Sequence, residues 1–426
     1  MLISAIFIAM LLMICINIPI AVALAMCGVL GLLFTEGTSS LVTIALDMYD
    51  GSTKFSLIAI PMFVLAGAIM NAGGITDKLI NFVSAIIGFI RGGLAMVNIG
   101  VSLFFAEISG SAVADVAAMG SILIPQMKKR GYSKEFSAAV TSSSASLAII
   151  IPPSIPMILY AASANTSVEQ LFVAGIVPGL LGAGGLMLVA YLFAKHYDFP
   201  TEDAFNFPRL RETFVDALPA FTLPVIILGG IFGGFVTATE AAGLAVLASL
   251  VVSAWYGNLD RDHLRRAMLD GGIQTAVVML LVAASVLMGG FLTRAQIPQQ
   301  LAESILSITT QQWAILLILN FFFLVVGFFL HSAAAIILVI PIVIPLITAA
   351  GIDPVHFGLV VTLNLAIGQQ TPPVASVLIT ACSVARANIW EVSKVNIWFV
   401  GVLILVLMLC TYVPSVPMFL VEYFYR

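Results

Sequence analysis

Thr141-Ser-Ser-Ser-Ala-Ser-Leu-Ala-Ile-Ile-Ile-Pro-Pro-Ser154 is a hydroxyl-rich stretch of helical character that runs into two consecutive prolines. A proline has no backbone N–H and its ring clashes with the preceding turn, so a helix cannot pass through the pair unbroken. The carbonyls just upstream are released and need other partners. The pattern returns as Thr362-Leu-Asn-Leu-Ala-Ile-Gly-Gln-Gln-Thr-Pro-Pro373. One such pair reads as a kink in a transmembrane helix; a second copy raises the question of a repeat.

The second half slides onto the first without a gap at an offset of 220. Ile124-Pro125 falls on Ile344-Pro345, Gly131 on Gly351, and Pro152-Pro153 on Pro372-Pro373. Identity elsewhere is low, so the repeat is structural. Its orientation follows from charge. Lys128-Lys-Arg-Gly-Tyr-Ser-Lys134 is the densest basic cluster in the chain, whereas its partner, Thr348-Ala-Ala-Gly-Ile-Asp-Pro354, has no Lys or Arg. The positive-inside rule puts the first on the cytoplasmic side and the second outside. Equivalent segments on opposite faces define an inverted-topology repeat, a plan of many secondary transporters, whose sites lie at mid-membrane on discontinuous helices.

Composition agrees. The 426 residues are 61% hydrophobic and 9% charged, against about 25% charged in soluble domains. Apolar stretches recur from Met1–Phe34 to Val395–Pro414, so about ten to a dozen membrane-embedded segments are expected. The N-terminal run has no basic n-region and exceeds a signal peptide's apolar core, so it is expected to remain as the first transmembrane helix. Cys15, Cys27, Cys382 and Cys410 lie singly in apolar runs, without metal-ligand spacing. The net charge of −4 is dispersed, and no basic run points to nucleic acid. No nucleophile–base pair, phosphate-binding loop or metalloprotease helix is present, so an enzyme or an ATP-driven pump is not expected.

The expected fold is an all-α polytopic membrane protein with two re-entrant helical hairpins and discontinuous helices. Residues 1–195 form the first repeat, with a hairpin at about 105–130 and a broken helix at about 133–165. A polar connector, 196–216, leads to the second repeat, 217–426, with a hairpin at about 325–350 and a broken helix at about 354–385.

Hydroxyls and small residues interrupt the apolar context around Glu107-Ile-Ser-Gly-Ser111, making Ser109, Gly110 and Ser111 suited to a tight re-entrant tip. The equivalent tip is Phe329-Leu-His-Ser332. Released carbonyls and hydroxyls suit a small hard cation such as Na⁺. Two symmetry-equivalent breaks, each opposite a Ser- or His-bearing tip, read as ion sites rather than kinks. Asn364, Gly368 and Thr371 are the second-half candidates. Ionisable groups are costly at membrane depth and usually face a cavity; here they are Glu107, Asp115, Glu240, Arg294 and His331. Arg294 suits a carboxylate, or snorkels from a helix end. His331 and Glu240 have structural readings too. Arg294, Asp115, His331, Ser163 and Asn165 are the candidate substrate-binding residues.

Gly110-Ser-Ala-Val-Ala-Asp-Val-Ala-Ala-Met-Gly-Ser-Ile-Leu-Ile-Pro125, Ile151-Pro-Pro-Ser-Ile-Pro156, Gly351-Ile-Asp-Pro-Val-His-Phe-Gly358 and Thr371-Pro-Pro-Val374 occur in order. With Ile60–Gly67 and Thr237-Ala-Thr-Glu-Ala241, they resemble the large membrane subunit of tripartite ATP-independent periplasmic (TRAP) transporters over nearly the whole chain. The resemblance implies a Na⁺-driven importer of organic acids in a bacterial inner membrane, in which a transport domain moves like an elevator against a scaffold. It also implies two partners: a small four-helix membrane subunit, expected as a separate chain, and a periplasmic substrate-binding protein. About two Na⁺ sites carry over, onto Ser109, Ser111, Ala148, Ile151 and Pro153, and onto Gly327, Gly368, Thr371 and Pro373. The chain departs from the family at His331, where an Asp is common, and at Gln369-Gln370, where an apolar pair is common. Arg294 resembles the carboxylate-binding arginine of sialic-acid transporting members, which puts sialic acid ahead of C4-dicarboxylates. The competing expectation is a stand-alone H⁺- or Na⁺-coupled exporter or antiporter of related fold, which needs no binding protein.

Overall fold

A computed structural model describes residues 2–425 except 17, 110, 200–203 and 373, and leaves out the side chains of 2–4, 11, 14–15, 41, 43 and 105–109. Helices account for all the regular structure of the described residues. The first half runs through Leu2–Cys15, Ile20–Glu36, Ser40–Ser52, Ala59–Ala72 and Ile75–Ile87. A hairpin, Gly93–Ser109 and Ala112–Lys129, follows. A broken helix, Lys134–Ala145 and Ile155–Ala164, and a long helix, Val168–His196, complete it.

The second half repeats this order. Phe207–Pro224 continues through a π-helical turn, Val225–Gly229, into Gly230–Phe232, and is followed by Ala238–Trp255, Arg261–Arg294 and Ile297–Ile308. The second hairpin is Gln312–Phe329 and Ser332–Ala349, the second broken helix Pro354–Gly368 and Ser376–Ala385. Ile389–Tyr412 and Ser415–Tyr425 end the chain. From the hairpin onward, helix starts in the two halves correspond to within one residue of the 220 offset. The caps repeat as well: Ser133 accepts from Phe136 N at the start of the first broken helix, and Asp353 from Val355 N and His356 N at the start of the second. Such caps satisfy helix-end N–H groups that would otherwise be orphaned.

The halves differ ahead of the hairpins. Ser40–Ser52 and Ala59–Ala72 are separate helices, whereas their counterpart is the single 34-residue helix Arg261–Arg294, about 50 Å long at 1.5 Å per residue. Each hairpin begins about a dozen residues before the start expected from sequence, at Gly93 rather than 105 and at Gln312 rather than 325, because an apolar first arm reads in sequence like any spanning helix. The helix from Phe207 starts inside the segment read as connector.

Nine helices among the described residues are long and apolar enough to cross a membrane, and shorter apolar helices include Ile155–Ala164, Pro354–Gly368 and Ser376–Ala385. Exposed Leu247, Val251, Phe321 and Leu405 are typical of the outer surface, which suits lipid rather than water. The basic cluster Lys128–Lys134 lies between hairpin one and the first broken helix, and the equivalent segment 348–354, between hairpin two and the second broken helix, has no Lys or Arg, the charge asymmetry of an inverted repeat.

Packing divides the helices. Leu2–Cys15, Ile20–Glu36 and the end of Arg261–Arg294 share a core of Ile6, Met10, Leu24, Cys27, Leu287, Met288 and Phe291. Gly28 permits this approach, since a Cβ there would fall 2.7 Å from Met288 N. The break-bearing elements pack reciprocally. The second arm of hairpin one lies on Ser376–Ala385, and the second arm of hairpin two lies on Ile155–Ala164. The long helix Val168–His196 presses on the first break through Gly175, whose added Cβ would sit 2.2 Å from Ile150 O. Almost every residue from Phe136 to Ile158 is buried, including the hydroxyls.

Candidate ion and substrate site

At the first break Lys134–Ala145 tightens into a 3₁₀ turn, Ser146–Ile149, and Ile150 N and Ile151 N both donate to Leu147 O, at 2.9 and 2.8 Å. In a continuous helix residues 152 and 153 would donate to Ala148 O and Ile149 O, and as prolines they cannot. Ser154 Oγ donates to Ile149 O at 2.7 Å and accepts from Met157 N, capping the outgoing helix. The carbonyl of Ala148 is thus the group whose helical donor is removed without a serine in its place.

At the second break the backbone of Thr371 donates to Gly368 O at 3.0 Å and its hydroxyl to Ile367 O at 3.1 Å. Gly327, on the first arm of hairpin two, touches Gly368 backbone to backbone. A Cβ on Gly368 would lie 2.6 Å from Gly327 Cα and 2.7 Å from its carbonyl carbon. Three sequence candidates, Gly327, Asn364 and Gly368, therefore meet in one place; Ala148 and Ile151 meet in the other. Pro373 and the side chain of Ser109 lie outside the described residues.

Each broken helix is tied to its own hairpin by a buried amide. Ser144 and Asn364 are equivalent at the 220 offset. Ser144 Oγ donates to Asn98 Oδ1 at 3.1 Å, and Asn98 Nδ2 donates to Thr141 Oγ1 at 2.7 Å. Asn364 Nδ2 donates to Asn320 Oδ1 at 2.7 Å and to Val360 O at 2.8 Å. Asn364 Oδ1 is buried and has no donor among the described residues, an unmet acceptor at the helix break. The sequence signal for these ties is a lone amide, Asn98 or Asn320, in an apolar run, which by itself names no partner.

The tips differ in use. Ser111 caps Ala112–Lys129, accepting from Ala114 N, while His331 occupies the same place before Ser332–Ala349 without a side-chain cap. His331 is exposed. Asp115 is buried in the first turn after Ser111, where helix N–H groups favour a carboxylate. Asn165 closes Ile155–Ala164 with left-handed geometry, φ 51°, a common role of asparagine at a helix end. Glu240 completes a capping box with Thr237.

Arg294 ends the 34-residue helix and is held by Glu36 at 2.9 Å and Asp47 at 3.7 Å. Its partners are on Ile20–Glu36 and Ser40–Ser52, so it staples these helices together. Partly exposed pairs of this kind contribute about 0–1 kcal/mol. Arg294→Ala is expected to leave the substrate KM within about twofold and to lower stability by less than about 1 kcal/mol, read by uptake and thermal unfolding. A tenfold rise in KM would return the guanidinium to the substrate site.

Ser163 lines a cavity of about 200 Å³ between Ser40–Ser52, the 34-residue helix and the outgoing part of the first broken helix. Lys54 is the charged residue among its lining side chains, with Ser163 and Ser285 beside it. The Lys54 ammonium donates to Ala162 O at 2.8 Å, which leaves donor capacity on the same group. Lys54 was missed from sequence because it sits in a short connection rather than inside an apolar run.

Paired hairpins and paired helix breaks in inverted halves define a transporter-type membrane fold of the kind that moves solutes through sites on discontinuous helices. The family described as "Tripartite ATP-independent periplasmic transporter, DctM component" matches residues 7–416, and the chain belongs to it. It is similar to the isethionate TRAP transporter permease protein DctMQ of Oleidesulfovibrio alaskensis, 37% identical over 95% of this chain and 64% of that one. The C4-dicarboxylate TRAP transporter large permease protein DctM of Vibrio cholerae is 35% identical over 99% of this chain and 97% of its own. The sialic acid TRAP transporter large permease protein SiaM of the same species is 34% identical, covering 96% of each. Among solved structures, the Alcanivorax borkumensis YdaH transporter matches with a TM-score of 0.66 at 14% identity, over 90% of each chain, a likeness of fold.

Proposed function

We propose that this chain is the large membrane subunit of a sodium-coupled importer of small organic acids. The observation that carries the reading is the pair of oxygen-rich helix breaks at equivalent positions, each tied to its own hairpin, with the unmet Asn364 Oδ1 at the second. Ala148, Ile151 and Ser111 would supply sodium ligands at the first; Gly327, Asn364, Gly368 and Thr371 at the second. The substrate's anionic group would meet Lys54 and Ser163 in the cavity between scaffold and break-bearing helices. Arg294's engagement with Glu36 removes its support for sialic acid in particular, so the reading is the broader class, which the relatives named for isethionate, C4-dicarboxylates and sialic acid share.

Separate packing of the core around Leu287 and Phe291 supports a fixed scaffold against which the break-bearing helices move as an elevator. The partners are a small membrane subunit and a periplasmic binding protein, and the location is a bacterial inner membrane. Purified complex in liposomes tests this. Uptake of an acid that binds the cognate binding protein is expected only with that protein and an inward sodium gradient, and Lys54→Gln is expected to raise KM about tenfold. Uptake independent of both would mean a stand-alone carrier.

A further inference from the structure

We propose that Gln370 couples the two helix breaks, so that filling of one ion site favours filling of the other; this rests on the sodium reading above. Gln370 lies between Gly368 and Thr371 in the second break, yet its side chain reaches into the first half: Nε2 donates to Ser146 Oγ at 2.6 Å. Ser146 opens the 3₁₀ turn that contains Ala148. The backbone of Gln370 is held from the other side, where Asn396 Nδ2 donates to Gln370 O at 3.2 Å and Ser143 Oγ donates to Asn396 Oδ1 at 2.7 Å. Ser143, Ser146, Gln370 and Asn396 are all at most 2% exposed. Three hydrogen bonds, with both ends of the circuit on residues 143–146, therefore join the residue two before Ala148 to the residue two after Gly368.

Two features separate this circuit from generic packing. First, it is built once. The symmetry mates of Ser143, Ser146, Gln370 and Asn396 are Leu363, Ala366, Ile150 and Ile176, none of which can form a side-chain hydrogen bond. The inverted repeat alone does not require the link. Second, it is costly as packing, because Gln370 Oε1 is buried without a donor among the described residues, and a buried unmet acceptor loses its hydration without compensation. An aliphatic residue, as at Ile150, would fill the space without that loss.

Ordering the carbonyls of one break around a cation fixes the Ser146–Ile151 turn, and through Ser146 it fixes Gln370 and the Gly368–Thr371 turn. The second cation then binds to a turn already ordered, which is positive cooperativity carried by conformational entropy. Gln370 is a positioning residue here, with no ligand role of its own.

The test is the sodium dependence of uptake by the complete complex with its binding protein in liposomes. Wild type is expected to be sigmoidal, with a Hill coefficient approaching the number of sites, about two. Gln370→Ile and, as the smaller change, Ser146→Ala are each expected to lower it to about one and to retain uptake at saturating sodium. The double variant should match the singles, because both cut the same link. A Hill coefficient unchanged in a variant that still transports would overturn the coupling. Wild-type uptake without sodium dependence would instead remove the sodium reading itself.

Discussion

Gly368→Ala is expected to reduce uptake by about two orders of magnitude while the protein still inserts and can be purified. The reason is geometric. The new methyl would sit 2.6 Å from Gly327 Cα and 2.7 Å from the Gly327 carbonyl carbon, and backbone atoms cannot rotate away as a side chain can. Hairpin two must separate from the second broken helix. Overpacking of this kind costs about 1–3 kcal/mol, and about 2.7 kcal/mol on the working arrangement is roughly a hundredfold in rate. Gly327→Ala should behave similarly but more mildly, since its methyl would lie 3.0 Å from Gly368 Cα. Uptake and thermal unfolding measured on both variants check this; wild-type uptake by Gly368→Ala would show that the close approach is not needed.

Asn364→Ala carries the second large effect, and it separates ion binding from packing. The substitution removes Nδ2 from Asn320 Oδ1 and from Val360 O, leaving a buried acceptor unmet at a cost of about 1–3 kcal/mol. It also removes the Oδ1 that faces no donor in the wild type. If that oxygen is a sodium ligand, half-saturating sodium rises by about tenfold or more, roughly 1.4 kcal/mol of lost binding. Asn320→Ala provides the contrast: it breaks the Asn320–Asn364 tie and the bond to Thr411 but leaves Asn364 Oδ1 in place. A stability loss in both variants, with a sodium shift only in Asn364→Ala, is the expected result. Equal sodium shifts would assign Asn364 a purely structural role.

Much of the fold is legible in sequence because its determinants are local. The two proline pairs forbid continuous helices wherever they occur, and their spacing exposes the repeat. Lys128-Lys129-Arg130 against a partner segment without Lys or Arg reveals the inversion before any contact is known. What escapes is what depends on which helix lies beside which. Arg294 looks the same in sequence whether it faces a ligand or Glu36, and only packing places Glu36 and Asp47 within reach. Gln369-Gln370 stands out as a polar pair in an apolar neighbourhood, yet nothing local says that Gln370 reaches Ser146 in the other half. Lys54 escapes for a different reason: in sequence it is an ordinary polar residue between helices, and its cavity is closed by Ser163, Val282 and Ile337 from three distant segments.

If the two proline-broken helices are the sodium sites, the purified complex binds sodium at equilibrium in the absence of transport, which radioactive ²²Na⁺ measures. Saturable binding of about two ions per large subunit is predicted, falling to about one tightly held ion in Asn364→Ala. Absence of saturable sodium binding, or a full complement retained with unchanged affinity in Asn364→Ala and Gly368→Ala alike, would contradict it.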